Sequence, residues 1–128
     1  MSASRQFAIV TGASTGIGLE LAKCCAQNGF DLLIAADEPR IETAAAETRR
    51  LGATVETVEA DLSTVEGVNT LYQAAKRIGR PVDALLANAG IGVGHAFLDQ
   101  NFDRARRVID NITGTIYLIH KIGNDAAA

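Results

Sequence analysis

The sequence lacks a long apolar run and contains only two cysteines among its 128 residues. Without such a run, no membrane-spanning segment is predicted. Cys24 and Cys25 are adjacent on a predicted helix, where consecutive side chains point to different faces and a disulfide between them would be strained. No second cysteine pair or nearby histidine completes a ligand set, so we interpret both as reduced packing residues and predict no metal site.

A strong excess of charge of either sign is also missing. Twelve lysines and arginines stand against fifteen acidic residues, and the formal net charge is −3. No nucleic-acid partner is therefore predicted. The first residues, Met1 to Gln6, are too polar for a signal peptide, so we expect a cytoplasmic location. Because 48% of the residues are apolar, the chain can form one domain with a substantial core.

Short apolar runs alternate along the chain with longer helical patterns, which is typical of a parallel sheet covered by helices on both faces. Right-handed crossovers place four such strands in the order 3-2-1-4. The predicted fold is therefore an α/β, Rossmann-like doubly wound sheet, incomplete at its carboxyl-terminal side, with its site at the carboxyl ends of the strands. The predicted strands are residues 7–11, 31–36, 54–58 and 82–87, and the predicted helices are residues 17–27, 40–51, 65–79 and 101–121.

The most informative segment is Thr11-Gly-Ala-Ser-Thr-Gly-Ile-Gly18, directly after the first strand. Gly12 permits a tight turn, Gly16 lets the backbone approach a pyrophosphate, and Gly18 lets the new helix pack closely on the strand. Backbone N–H groups at the helix start then face the phosphates. A Walker loop is excluded because no Gly-Lys-Ser/Thr follows and the first lysine is Lys23. The predicted phosphate-binding residues are Gly12, Ser14, Thr15, Gly16, Ile17 and Gly18.

An acidic residue, Asp37, follows the second strand about twenty residues after the glycine loop, where it can accept hydrogen bonds from an adenosine ribose. Its charge would repel a 2′-phosphate. The residue before it is Ala36 and the glycine loop contains no arginine, so we expect NAD as the cofactor. Arg40 weakens this preference and keeps NADP as the alternative. Asp37 could instead only begin a turn before Pro39.

Two further motifs stand at later strand ends: Asp61-Leu62 and Asn88-Ala89-Gly90. From the residues alone, Asp61 and Asn88 can either bind a ligand or cap turns. Together with Thr11 to Gly18, the motifs resemble the successive signatures of the short-chain dehydrogenase/reductase family. The resemblance implies that Asp61 contacts the adenine ring with Leu62 beside it. It also implies that Asn88, Ala89 and Gly90 stabilise the sheet and line the cofactor site.

Asn111 is the single catalytic candidate. The segment Asn111-Ile-Thr-Gly-Thr115 resembles the family's active-site helix, whose asparagine helps to hold a water in a proton relay. The family usually has one more residue between an acidic residue such as Asp110 and this asparagine. A missing residue rotates a helix by roughly a third of a turn. Either the helix begins one residue away from the family's position, or the Asn111 side chain points away from the active site.

The resemblance also implies a catalytic serine and a Tyr-x-x-x-Lys pair that lie further along, after a fifth strand. Two such spacings occur here, Tyr72 to Lys76 and Tyr117 to Lys121, but we interpret both as packing residues on helices. The chain is thus expected to be the NAD(P)-binding domain, residues 1–128, of a longer oxidoreductase, and to be inactive alone. The complete enzyme would act on a small carbonyl or alcohol substrate as a homo-oligomer.

Two other functions stay open on the residues. A non-catalytic nucleotide-binding or interaction module agrees with the missing serine, tyrosine and lysine. A methyltransferase-like fold binding an adenosyl cofactor is less compatible with the Asn-Ala-Gly turn and with the Gly-Ile-Gly helix start.

The role of Asp37 can be tested by substitution. We expect Asp37→Ala to weaken NADH binding by about tenfold and to narrow the difference between NADH and NADPH, because a ribose acceptor and a repelling charge are both removed. Fluorescence titration with each nucleotide measures both affinities. Unchanged selectivity would show that Asp37 does not contact the ribose.

Overall fold

The computed structural model describes residues 5–88 and 102–127, and in the last helix it describes the side chains of residue 103, residue 110 and residues 113–124. Four parallel strands form one sheet in the order β3-β2-β1-β4, which confirms the predicted order. Val10 in the central strand lies opposite Ile34 on one side and Leu86 on the other. The strands are β1 (Gln6–Thr11), β2 (Phe30–Ala36), β3 (Val55–Glu59) and β4 (Ala84–Leu86).

The helices follow the strands in alternation: α1 (Gly16–Gln27), α2 (Ile41–Arg49), α3 (Val65–Ile78) and α4 (Phe102–Ala127). Helix α3 has clear signals at both ends. The Thr64 side chain accepts a hydrogen bond from the Gly67 N–H at its start, and Gly79 takes a left-handed conformation, with φ of 71°, at its end. None of the described helices is long and apolar enough to cross a membrane.

Most boundaries lie within two residues of the sequence prediction, and the differences at β4 and α4 have a physical reason. Strand β4 is shorter than residues 82–87, and beyond its carboxyl end the Asn88 N–H bonds the Thr11 hydroxyl, 2.9 Å away, instead of extending the ladder. Helix α4 continues beyond Lys121 to Ala127. Gly123 does not stop it, and the alanines that follow favour helix.

The hydrophobic core lies on both faces of the sheet. Successive side chains of a strand point to opposite faces, so Phe7 and Ile9 pack toward α3 and α4, whereas Ala8 and Val10 pack toward α1 and α2. This two-sided burial explains why β1 and β2 are almost continuously apolar. On the α1 and α2 face the buried helix residues are mostly alanines, which bring the helices close to the sheet: Ala22, Ala26, Ala44 and Ala45.

A group of polar side chains joins the amino ends of the strands. We call Arg5, Asp31, Arg80 and Asp83 the amino-edge cluster. Asp31 Oδ1 accepts hydrogen bonds from Arg5 Nε and from the Thr54 N–H, both at 2.9 Å, and Oδ2 accepts one from Arg80 Nη1 at 2.8 Å. Because the Asp31 side chain is only 12% exposed, these donors replace the water that its charge has lost.

Further hydrogen bonds connect this cluster to the strands. Arg80 Nη2 donates to the Arg5 carbonyl and Arg5 Nη2 donates to the Phe30 carbonyl, each at 2.8 Å. Asp83 Oδ2 accepts from the Phe7 N–H, also at 2.8 Å. Through these contacts the cluster ties β1 to β2 and to the segment that leads into β4.

Asp31 makes the stability of the fold depend on pH. Burial raises the pKa of its carboxyl, but hydrogen bonds from Arg80, the Thr54 backbone and Arg5, with the charge of Arg80, outweigh burial and hold the pKa below its usual value. Since the folded pKa is the lower one, the stabilisation is present above the unfolded value of about 4. It is lost as pH falls through the folded value.

We therefore expect Asp31→Asn to lower the free energy of unfolding at pH 7 by about 1–3 kcal/mol, because two half-buried guanidinium groups lose their counter-charge. The deficit should shrink as the pH falls below about 4. Urea denaturation of both proteins across this range measures it. Glu20→Gln is the control, because Glu20 pairs with Lys23 in an exposed position. Equal stability of the two variants at neutral pH would refute the role of Asp31.

Candidate functional site

The glycine loop joins β1 to α1 at the carboxyl edge of the sheet. Gly12 and Gly16 have φ angles of 64° and 61°, a left-handed conformation that side chains disfavour. The Ala13 N–H bonds the Ala35 carbonyl at 3.1 Å, which fixes the loop beside the end of β2. Among the described residues, apart from its chain neighbours and the backbone of its own helix, no atom lies within 4 Å of the place where a Cβ on Gly16 would stand. The loop therefore has a fixed backbone and open space in front of Gly16.

The start of α1 is prepared for an anion. Thr15 precedes the helix in an extended conformation and its side chain makes no capping hydrogen bond. The first turn contains no acidic residue, and Thr15, Gly16 and Ile17 are exposed. Uncapped N–H groups and the positive end of the helix dipole favour a negative ligand here. Ser14, which precedes them, is half-buried.

Asn88 connects the end of β4 to the glycine loop. Its N–H donates to the buried Thr11 hydroxyl at 2.9 Å, and Nδ2 donates to the Gly12 carbonyl at 3.4 Å. Gly18 packs on the same point, because a Cβ there would overlap the Gly12 carbonyl and reach 2.7 Å from Asn88 Nδ2. Gly18 thus permits the close approach of helix and strand that the sequence predicts. Ala89 and Gly90, predicted beside Asn88, lie outside the described residues.

Asp61 and Leu62 follow β3 and lead into α3. Asp61 Oδ1 accepts hydrogen bonds from the Ser63 N–H at 2.9 Å and from the Ser63 hydroxyl at 2.6 Å, so this carboxylate supports a turn. Leu62 is buried in the core with Val68 and Leu71. Its side chain therefore contributes to packing at a position where the sequence predicts a cofactor contact.

Two glycines that the sequence analysis did not single out pack against this turn. A Cβ on Gly67 in α3 would overlap the Asp61 carbonyl, and a Cβ on Gly114 in α4 would overlap the Leu62 carbonyl. Both helices therefore press their backbones on the residues after β3. The signal in the sequence is a glycine inside a helical pattern. Such a glycine destabilises the helix by about 1 kcal/mol relative to alanine, so its presence indicates a packing reason.

The turn after β2 carries three charged residues. Asp37 is exposed at the carboxyl edge, as predicted. Arg40 Nε lies 3.3 Å from Glu38 Oε1, and their side chains are 65% and 39% exposed. Asp37, Asp61, Asn88 and the loop from Gly12 to Gly18 all follow carboxyl ends of neighbouring strands, and we call this group the carboxyl-edge crevice.

Helix α4 contains the predicted catalytic residue and one of the two tyrosine–lysine spacings. Asn111 lies within α4, but its side chain is outside the described part of the chain. The residues of the two Tyr-x-x-x-Lys spacings contact each other between α3 and α4. Lys121 Nζ lies 4.6 Å from the centre of the Tyr72 ring and 5.1 Å from that of Tyr117, and both rings pack on the core. These cation–π contacts agree with a packing role.

The crevice is compatible with the phosphates of a dinucleotide, because a glycine-rich loop, uncapped N–H groups and open space at Gly16 occur together at one helix start. Among the described residues, no group of histidine, cysteine, aspartate and glutamate side chains could hold a metal ion. Fold and crevice together define a nucleotide-binding α/β protein of the doubly wound class.

Comparison with known proteins identifies the family. Residues 6–125 match the model of the short chain dehydrogenase family, and the chain belongs to this family. The uncharacterized oxidoreductase YohF of Escherichia coli K12 is 39% identical over 106 residues, which are 80% of this chain and 42% of that protein. The resemblance read from the three motifs is therefore confirmed.

Solved structures agree in fold. L-sorbose reductase from Gluconobacter frateurii, complexed with NADPH and L-sorbose, superposes with a TM-score of 0.88 at 25% identity, and 98% of this chain covers 49% of that one. A 3-oxoacyl-[acyl-carrier protein] reductase from Brucella melitensis in complex with NAD gives 0.84 at 31% identity, with coverages of 99% and 51%. The chain spans about half the length of these relatives.

The contact between Gly114 and Leu62 yields a matched pair of variants in one helix. We expect Gly114→Ala to lower the free energy of unfolding by about 2–4 kcal/mol, because the new methyl group overlaps a backbone carbonyl that cannot move freely. Gly123→Ala should instead stabilise the protein by up to about 1 kcal/mol, since nothing lies within 4 Å of its Cβ position. Thermal unfolding distinguishes the two, and a stabilising Gly114→Ala would contradict the packing.

Proposed function

We propose that residues 1–128 form the NAD(P)-binding domain of a short-chain oxidoreductase that interconverts a carbonyl and an alcohol. The observation that carries the proposal is the glycine loop, in which Gly12 and Gly16 hold left-handed conformations before an uncapped helix start. Membership of the family supports the reaction type. The family's cofactor supplies the hydride acceptor or donor when it is bound.

Each residue of the crevice has a distinct part in this proposal. Backbone N–H groups from Thr15 to Gly18 bind the pyrophosphate, with Ser14 beside them and the exposed side chain of Ile17 against the ligand. Asp37 accepts hydrogen bonds from the adenosine ribose. Asp61 lies beside the adenine ring, with the Leu62 backbone next to it. Asn88 holds the glycine loop to β4, and Ala89 and Gly90 continue the lining.

NAD is the cofactor that the charges favour, with NADP as the alternative. Exposed Asp37 repels a 2′-phosphate and accepts hydrogen bonds from a 2′-hydroxyl. The similar solved structures include one with NADPH and one with NAD, so family membership alone does not choose between them.

The substrate proposed for the complete enzyme is a small carbonyl compound or alcohol, in keeping with the sorbose reductase to which the chain is similar. Asn111 is proposed to support a proton relay, and the complete enzyme is proposed to form a homo-oligomer. The predicted cytoplasmic location stays a prediction. No nucleic-acid partner is proposed, given the net charge of −3.

A second candidate, a nucleotide-binding module without catalysis, is favoured by one observation. Both tyrosine–lysine pairs of the chain lie between α3 and α4 as packing contacts and are not arranged as an acid–base pair in the crevice. This candidate shares the cofactor site with the first and differs from it only in lacking turnover.

Nucleotide binding by the 128-residue chain tests both candidates. We expect NADH to bind, and Gly16→Val to weaken binding by at least about tenfold, because the branched side chain fills the space of the pyrophosphate. Gly29→Val is the matched control: Gly29 also has a positive φ, 89°, and open space at its Cβ position, but it precedes β2 at the opposite edge. Fluorescence titration gives the affinities and circular dichroism checks folding. Full affinity in folded Gly16→Val would place the phosphates elsewhere.

A further inference from the structure

The turn between β2 and α2 contains a carboxylate oxygen in an unusual environment. Glu38 Oε1 is shielded from solvent and accepts no hydrogen bond from the described residues. Arg40 Nε lies 3.3 Å from it, close enough for an ion pair. A charged oxygen that has lost its water is costly without a counter-charge. The guanidinium of Arg40 supplies that counter-charge.

The same guanidinium is the nearest positive charge in sequence to Asp37, at the place where the 2′-substituent of an adenosine ribose is expected. If Arg40 were available, it could form charge-assisted hydrogen bonds with a 2′-phosphate. Binding such a phosphate would weaken the pairing of Arg40 Nε with Glu38 Oε1, which is the shielded oxygen of a side chain that is otherwise 39% exposed. NADP would therefore carry an extra free-energy cost that NAD does not.

We infer that Glu38 is a specificity-determining residue: by pairing with Arg40 it withholds this arginine from a 2′-phosphate and strengthens the preference for NAD. The inference rests on the proposed cofactor site. It goes beyond the role of Asp37, because Glu38 acts through a neighbouring cation rather than by touching the ribose. If Glu38 acts through Arg40, its effect on NADPH affinity requires Arg40. If Glu38 acts by its own charge, the effect remains when Arg40 is replaced.

A double-mutant cycle separates these two mechanisms. The unaltered chain, Glu38→Gln, Arg40→Gln and the double variant are titrated with NADH and with NADPH by fluorescence. We expect Glu38→Gln to raise NADPH affinity by about threefold to tenfold, the effect of one released charge-assisted contact at an exposed site, and to change NADH affinity by less than about twofold. The double variant should return NADPH affinity to within about twofold of the unaltered chain.

Glu47→Gln is the matched control. Glu47 lies on helix α2, which follows the turn, and its side chain is 42% exposed with Oε2 3.9 Å from Lys23 Nζ, so its substitution removes the same charge outside the turn. It should leave both affinities within about twofold, since Glu47 lies about 9 Å along the helix from its start and charges at that separation are weakened by salt.

Three results would overturn the inference. The first is an unchanged NADPH affinity in Glu38→Gln. The second is an equal gain in Glu38→Gln and the double variant, which would mean that Glu38 acts by its own charge. The third is an equal gain in Glu47→Gln, which would make the effect one of net charge. If the unaltered chain bound neither nucleotide, the proposed function itself would fail, and this inference with it.

Discussion

The arrangement of the strands at both their amino and their carboxyl ends depends on the hydrogen bonds of the buried Asp31 carboxylate. This carboxylate accepts hydrogen bonds from Arg5, Arg80 and the Thr54 backbone, and these groups belong to segments 23 to 49 residues away in the sequence. Because these hydrogen bonds hold the strands together at their amino ends, the residues at the carboxyl ends need not hold them together. Glycine, uncapped N–H groups and exposed acids can then occupy the opposite edge, although each contributes little to stability.

Close backbone contact is what brings the carboxyl-edge crevice together. Gly18 packs on the Gly12 carbonyl, Gly67 on that of Asp61 and Gly114 on that of Leu62. In each pair a helix lies directly against the residue or turn that follows a strand. Because carbonyl groups do not yield as flexible side chains do, these contacts fix the positions of the helices relative to the strand ends. The crevice is therefore defined largely by backbone positions.

The sequence predicts much of this arrangement, and its failures have a common cause. Periodicity and turn residues give the strand order, and the glycine spacing identifies Gly12, Gly16 and Gly18, because these signals are local in the chain. The network around Asp31 and the contact of Gly114 with Leu62 are missed, since each joins residues far apart in sequence. Leu62 is a different case: the family motif implies that it lies beside the adenine ring, and because its side chain is in the core, such a contact would involve its backbone.

The turn after β2 shows why a count of charges is not enough to assign a cofactor. In the sequence, Arg40 stands close to Asp37 and weakens the preference for NAD. In the structure its guanidinium lies beside Glu38, whose shielded oxygen needs it. The pair is a weak one, since the two side chains are 65% and 39% exposed, but a cation that already pairs with one anion is a poorer ligand for a second. The contribution of Arg40 to the affinity for a 2′-phosphate therefore depends on its pairing with Glu38 and not only on its presence in the turn.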